Sequence, residues 1–488
     1  MRVVVIGAGL GGLGTALRLQ GAGHEVTVVE QRARPGGRAY QLTDRGFTWD
    51  MGPSLITMPW VLEETFAAGG LDLHSELTLR RLDPLYRIFW SGEERHFDFV
   101  DDRDGLRDQV AKFSARDAGR LDAFLAALEP IYREGIVAAG RRPFLSLADF
   151  ARLVPSMTRM GAIVPLHRFV SRFFEHDRVR EAFSFHSLFI GGDPYRVPAI
   201  YGALVYLQIL DGGWYADGGV YSLVEAMARP LDIRCGEAVA AIEQHGGRVS
   251  GVRLAGGECI KADVVVSNAD VLRSHELLGR RAPVRRMAPT MSAFLLYLGT
   301  DRRFEKLKHH TLLVGTGYRD FIKQVTRGTG RPQTFSTYVH APSRTEPGMA
   351  APGGDSLCAL LPVPNLRGGG IDWEREAAGL RDALIADYET TFGLTGLDAA
   401  VTVEHQMTPR DFERELGAAY GNAFAVEPTL HQSAYFRHPN RDRRVGGMYY
   451  VGGGTHPGAG IPGVLLSAEV TANLVLADVP ARARVAAR

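Results

Sequence analysis

The chain has 488 residues, 45% of them hydrophobic and 23% charged, enough for roughly three domains and balanced as in a folded globular protein, not a disordered one. Its net charge of +1 gives no global case for nucleic acid, and its cationic side is almost all arginine, with lysine only at 112, 261, 306, 308 and 323. Cys235, Cys259 and Cys358 have neither CxxC spacing nor an even count, which points to a reducing compartment without a disulfide frame or a zinc site.

At the N-terminus, RVVVIGAGLGGLGTALRLQGAGHEVTVVEQ predicts strand, turn, helix and strand. Arg2 to Ile6 form the first strand, and Gly7, Gly9 and Gly12 make G-x-G-x-x-G. Leu13, Ala16, Leu17 and Leu19 then give a helical face. Val26 to Val29 form the second strand, which Glu30 closes. In a βαβ unit this pattern is a dinucleotide site, with phosphates at the helix N-terminus and the acid on a free ribose 2′-hydroxyl. That favours FAD or NAD over NADP. Gly36, Gly37 and Arg38 follow as a second phosphate-facing turn, with Arg38 set to meet the pyrophosphate. This turn is a flavoprotein feature, so FAD is the expected cofactor.

Residues 106–210 read as mostly helical. The segment 141–175 combines Phe144, Leu147, Phe150, Leu153 and Ile163 with Arg141, Arg142, Arg152 and Arg159. A basic amphipathic helix suits a membrane interface as well as a domain core face with a solvated back. Next, GGRVSGVRLAGGECIKADVVVSNAD predicts a hairpin and a strand returning to the nucleotide sheet. From 281 to 440, runs such as MSAFLLYLGT and QTFSTYVHAP predict a second sheet, and WEREAAGLRDALIADYETTF one long helix. The apolar runs are read as too short to span a membrane. The tail VPARARVAAR is expected to fray.

Near the C-terminus, GGMYYVGGGTHPGAGIPGVLLSAEVTANLVLAD predicts a strand at 448–451, a glycine turn, and a helix from Ile461 with Pro462 in its first turn. Val464, Leu465, Ala468, Ala472 and Leu476 form the expected buried stripe. A helix N-terminus here would turn free N–H groups and a positive dipole end toward a flavin ring that becomes anionic on reduction.

These stretches, together with EQRARPGGRAY, AFSFHSLFIGGDPY, VVSNAD and AFAVEPTLHQSAYFRHPNRD, resemble the bacterial-type phytoene desaturases, FAD-dependent carotenoid desaturases, over almost the whole chain. The resemblance implies an α/β fold: a Rossmann-like FAD-binding domain of the glutathione-reductase/amine-oxidase-like class, a β-rich substrate domain and a helical membrane-associating domain. The expected division is 1–70, 221–280 and 441–488 for FAD, 71–105 and 281–440 for substrate, and 106–220 for the helical domain. Cofactor contacts are expected from Gly7, Gly9, Gly12, Glu30, Gly37, Arg38, Gly453, Gly454, Gly463 and Val464, with a backbone contact from Val239 near the adenine. Asp149, Arg152 and Arg319 are implied as polar groups near the reacting carbons; an acid beside an arginine could accept a proton or stabilise charge.

The substrate implied is an apolar polyene, drawn from lipid by a protein that is cytoplasmic and peripheral to the membrane, with quinone or oxygen as the electron acceptor. A related desaturase, a cis–trans isomerase, an amine- or porphyrinogen-oxidase-like flavoprotein and a non-catalytic carotenoid binder stay open. His186 and His456 read as core histidines ahead of general bases, and no metal site is expected. Val220, Tyr221 and Ser222 depart from the family's Thr-Gly-Ala-type run in a loop expected to face the flavin. ARPLDIRCGEAV is shorter than the usual passage to the adenine edge.

Overall fold

A computed structural model describes residues 1–281 and 287–478; the tail expected to fray lies outside them. The N-terminal unit forms as the valine run demands. Arg2–Ile6 is the middle strand of a five-stranded sheet, flanked by Glu25–Glu30 and Val264–Ser267, with Asp232–Cys235 and Met448–Tyr450 at the edges. Every pairing is parallel. Strands from three distant parts of the chain therefore end on the same side, where open α/β sheets bind their ligands.

The helix Ile461–Asp478 packs on Leu10–Gly21 beside the sheet. Its buried side is wider than the expected stripe, because Leu466, Val470, Leu474 and Val475 are buried too. It is also long and apolar enough to cross a membrane, against the reading that no run is. Its burial against Leu10–Gly21 and Pro59–Ala68 makes it a core helix.

The second sheet has seven strands in the order 401–407, 292–300, 356–363, 336–340, 310–314, 86–90 and 96–99. It is antiparallel except where His310–Val314 runs parallel to Tyr86–Trp90. Ser292–Thr300 is buried at all nine positions, as a strand covered on both faces requires. The hairpin of Arg248–Leu254 and Cys259–Lys261 joins Val239–His245 in a small antiparallel sheet.

The helices of residues 103–211 pack against the seven-stranded sheet, beginning with Arg103–Ala111 on His96–Phe99. One segment, Tyr132–Ala138, is a π-helix directly after Leu121–Ile131. The helix Leu147–Arg159 stands apart from the rest: Met157 is its one buried residue.

Candidate functional site

One continuous cavity of about 540 Å³ runs from the C-terminal ends of the parallel sheet into the space between the helices and the seven-stranded sheet. At its nucleotide end it is lined by Gly7, Gly9, Glu30, Gly37, Arg38 and Val239, and further along by Gly453, Gly463 and Val464. Gly12 and Gly454 do not line it. A Cβ on Gly12 would stand 2.1 Å from the Gly7 carbonyl oxygen, and one on Gly454 would stand 2.6 Å from Val271 Cγ2. Both glycines permit close packing beneath the cavity, an indirect part in holding a ligand.

The Glu30 side chain is buried, and its carboxylate accepts from the backbone N–H of Ala8 at 2.8 Å and of Arg32 at 2.9 Å. Arg38 donates through Nη2 to Asn422 Oδ1 at 2.9 Å, while its buried Nε has no partner. Burial lowers the Arg38 pKa, opposed by Asp270. A guanidinium with a spare donor and too little negative charge, beside a glycine-lined cleft, is what a pyrophosphate completes. These residues fit FAD.

At the C-terminal loop the decisive group is Arg437, which sequence reading passed over. It is 4% exposed and lines the cavity. Its donors go to the carbonyls of Gly453, Thr455, Val426 and Gln432 at 2.5–3.4 Å. No carboxylate pairs with it among these contacts. It holds the glycine loop and adds positive charge beside the N-terminus of Ile461–Asp478, both suited to an anionic ring. In sequence it is one arginine among many, and nothing signals its burial.

Beyond the loop the lining turns apolar, with Phe185, Leu188, Phe189, Leu204 and Leu207 from the helices and Leu312, Val314 and Leu360 from the sheet. Gly135, Ile136 and Gly140 in and after the π-helix also line it, a position sequence periodicity does not reveal. Polar groups in this stretch are few. Ser54 Oγ and the Tyr338 hydroxyl are 2.6 Å apart on the wall. Glu181 accepts from Trp90 Nε1 at 2.7 Å and pairs with Arg178 at 3.0 Å, and burial raises its pKa. Such a chamber suits a long molecule without a polar handle.

The structure does not bring Asp149, Arg152 and Arg319 to the cavity. Asp149 completes a capping box with Ser146 and meets Arg152 at 3.2 Å, three residues along an exposed helix. That geometry is a helix start with an i,i+3 pair. Arg319 is exposed, its guanidinium 5.0 Å from the Tyr195 ring centre; its neighbour Tyr318 lines the cavity instead. Val220, Tyr221 and Ser222 are likewise absent from the lining. They begin the helix Val220–Ala228, where Val220 donates to Asp50 and Tyr221 packs against Tyr40. His186 and His456 are buried and bonded to the Tyr86 hydroxyl and the Ala139 carbonyl. Burial pushes their pKa values down to about 3 and about 4, so both stay neutral.

Residues 10–476 match the flavin containing amine oxidoreductase family. The lycopene-forming phytoene desaturase of Pseudescherichia vulneris is 40% identical over 98% of this chain and 99% of its own. The chain belongs to the phytoene desaturase family of flavin-containing amine oxidoreductases. Other members differ in product: the neurosporene-forming phytoene desaturase of Cereibacter sphaeroides is 34% identical over 97% of this chain and 94% of its own. The fold extends further. Cyclohexylamine oxidase from Brevibacterium oxydans aligns over 98% of this chain and 99% of its own with a TM-score of 0.61 at 18% identity. The chain is accordingly an FAD-dependent carotenoid desaturase.

Proposed function

We propose that the protein desaturates phytoene or a close relative, using FAD and passing electrons to quinone or oxygen. The observation that carries this reading is the continuity of the cavity, which joins a glycine-lined nucleotide cleft to an apolar chamber. When bound, FAD supplies a two-electron acceptor that takes a hydride. The chain's part is to bind and orient: Glu30 and Arg38 at the ADP half, Arg437 and the 453–464 loop at the ring, and the chamber around the polyene. The chamber also excludes water, which strengthens each of these contacts.

A polyene of this kind resides in lipid, and we infer docking through Leu147–Arg159. Leu147 is 57% exposed, and Val154, Leu145 and Ile163 are also exposed. Phe150 packs edge-on against Phe436, itself 49% exposed, which extends the apolar face. Arg152 and Arg159 on the same helix suit anionic headgroups; the position of Asp149 and Arg152 supports this part better than one in proton transfer. Phe144 does not belong to the docking face, since it is buried against His456. Nor does Arg141, which is paired with Glu64 and Glu469.

Incubation with liposomes carrying phytoene tests the reading. Products absorbing at longer wavelength, each lighter by pairs of hydrogens, are expected. A shifted isomer at constant mass would assign isomerisation, and peroxide release with an amine would assign an oxidase.

A further inference from the structure

The seven-stranded sheet carries a cluster that neither the cofactor nor the polyene uses. His310 opens one strand with His309 just before it, His340 ends the neighbouring strand, and the antiparallel register sets His310 opposite His340. All three are buried, with ring centres 4.5, 4.9 and 5.2 Å apart. One ring nitrogen from each lies within 4.8 Å of the other two, and His309 Nε2 is 3.2 Å from His340 Nε2.

Burial pushes the His309 pKa down to about 3 and those of His310 and His340 well below the ordinary value. A neutral imidazole offers a lone pair at one of its ring nitrogens. Protein partners leave the set incomplete. His309 Nδ1 meets Thr345 Oγ1 at 2.6 Å, and His310 Nδ1 meets the Tyr338 hydroxyl. His310 Nε2 and His340 Nδ1 are buried without any partner.

Two imidazole nitrogens on a tetrahedral zinc ion, each about 2.0–2.1 Å from it, stand about 3.3 Å apart. The His309–His340 spacing is close to that. Oxygen partners on Nδ1 of His309 and His310 match the outer contacts that fix a ligating histidine's tautomer and aim its Nε2. We propose that His309, His310 and His340 bind a divalent transition metal, zinc by fit, through one ring nitrogen each, with water in the fourth position. The ion staples two strands behind Tyr338, which stands in the cavity wall. Sequence spacing conceals the site, because its ligands come from separate strands and meet only through the sheet register.

The test uses full-length, FAD-loaded protein purified without chelator from zinc-supplemented cells. Expected are about one equivalent of zinc per chain and an X-ray absorption shell of imidazole nitrogens at about 2.0–2.1 Å. After exchange for cobalt, tetrahedral d–d bands should appear at longer wavelength than the flavin. His309→Ala combined with His340→Ala should lose the metal, while His405→Ala, bonded to Asp44 elsewhere, should keep it. Wild-type protein that retains no zinc and binds none on titration overturns the proposal, and so does full retention by the double variant. If the double variant fails to fold, the wild-type spectrum decides: a shell of oxygen or sulfur in place of imidazole contradicts the site.

Discussion

Asp50 shows what burial does to a single group here. Its carboxyl is 2% exposed, Oδ2 accepts from Val220 N–H at 3.0 Å, and Oδ1 has no partner. Burial pushes its pKa from 3.8 up to about 7. A raised carboxyl pKa means that the folded state favours the protonated form. The contribution to stability is therefore full below the unfolded value and is lost as pH rises through the window between 3.8 and about 7. Asp50→Asn removes this titration, so its melting temperature relative to the parent should climb from acid to mildly alkaline pH, by on the order of a few kcal/mol in stability. A gap between the two proteins that does not change with pH would contradict this.

Glu30 and Arg38 are the single residues we propose to hold the cofactor's ADP half. Arg38→Ala removes a charge-assisted phosphate contact and should weaken FAD retention by about 1.5–3 kcal/mol. Glu30→Ala strands the N–H groups of Ala8 and Arg32 and should also release flavin, as equilibrium dialysis would measure. Full occupancy in both purified variants would remove them from the site. Both residues were legible in sequence because local motifs place them. Arg437 was not, since its partners are backbone carbonyls of loops that meet only in the folded chain.

Among elements, the βαβ unit and the final helix could be read because strand length, glycine spacing and helix start are all local. Register was not: the sheet order that sets His310 against His340 is a tertiary outcome. Leu147–Arg159 was legible as amphipathic, but of its residues only Met157 is buried. Periodicity gives a helix a face; it does not say what covers that face. If membrane covers it, Leu147→Asp with Val154→Asp should reduce flotation with anionic liposomes by tenfold or more, since burying each apolar side chain is worth roughly 1.5–3 kcal/mol. FAD content should stay at the parent level. Undiminished flotation of the double variant would move docking elsewhere.

At the scale of the molecule, function depends on joining two architectures through one cavity. The parallel sheet supplies a cofactor cleft at its strand ends, and the seven-stranded sheet with the helices supplies an apolar chamber. Sequence motifs announced the first half. The chamber is built from leucines and phenylalanines that look like any core until the fold leaves a void between them. Asp149, Arg152 and Arg319 were implied by the family resemblance, and the fold keeps them off the cavity, whose far end is walled by apolar residues that a sequence does not mark. We propose that substrate oxidation and cofactor reduction occur across this one cavity. Anaerobic mixing of the FAD-loaded protein with phytoene-bearing liposomes, without added acceptor, separates this from the alternatives. Bleaching of the flavin absorption in step with one product lighter by a pair of hydrogens is the predicted result. Product of unchanged mass, or an oxidised product formed while the flavin stays unreduced, would contradict it.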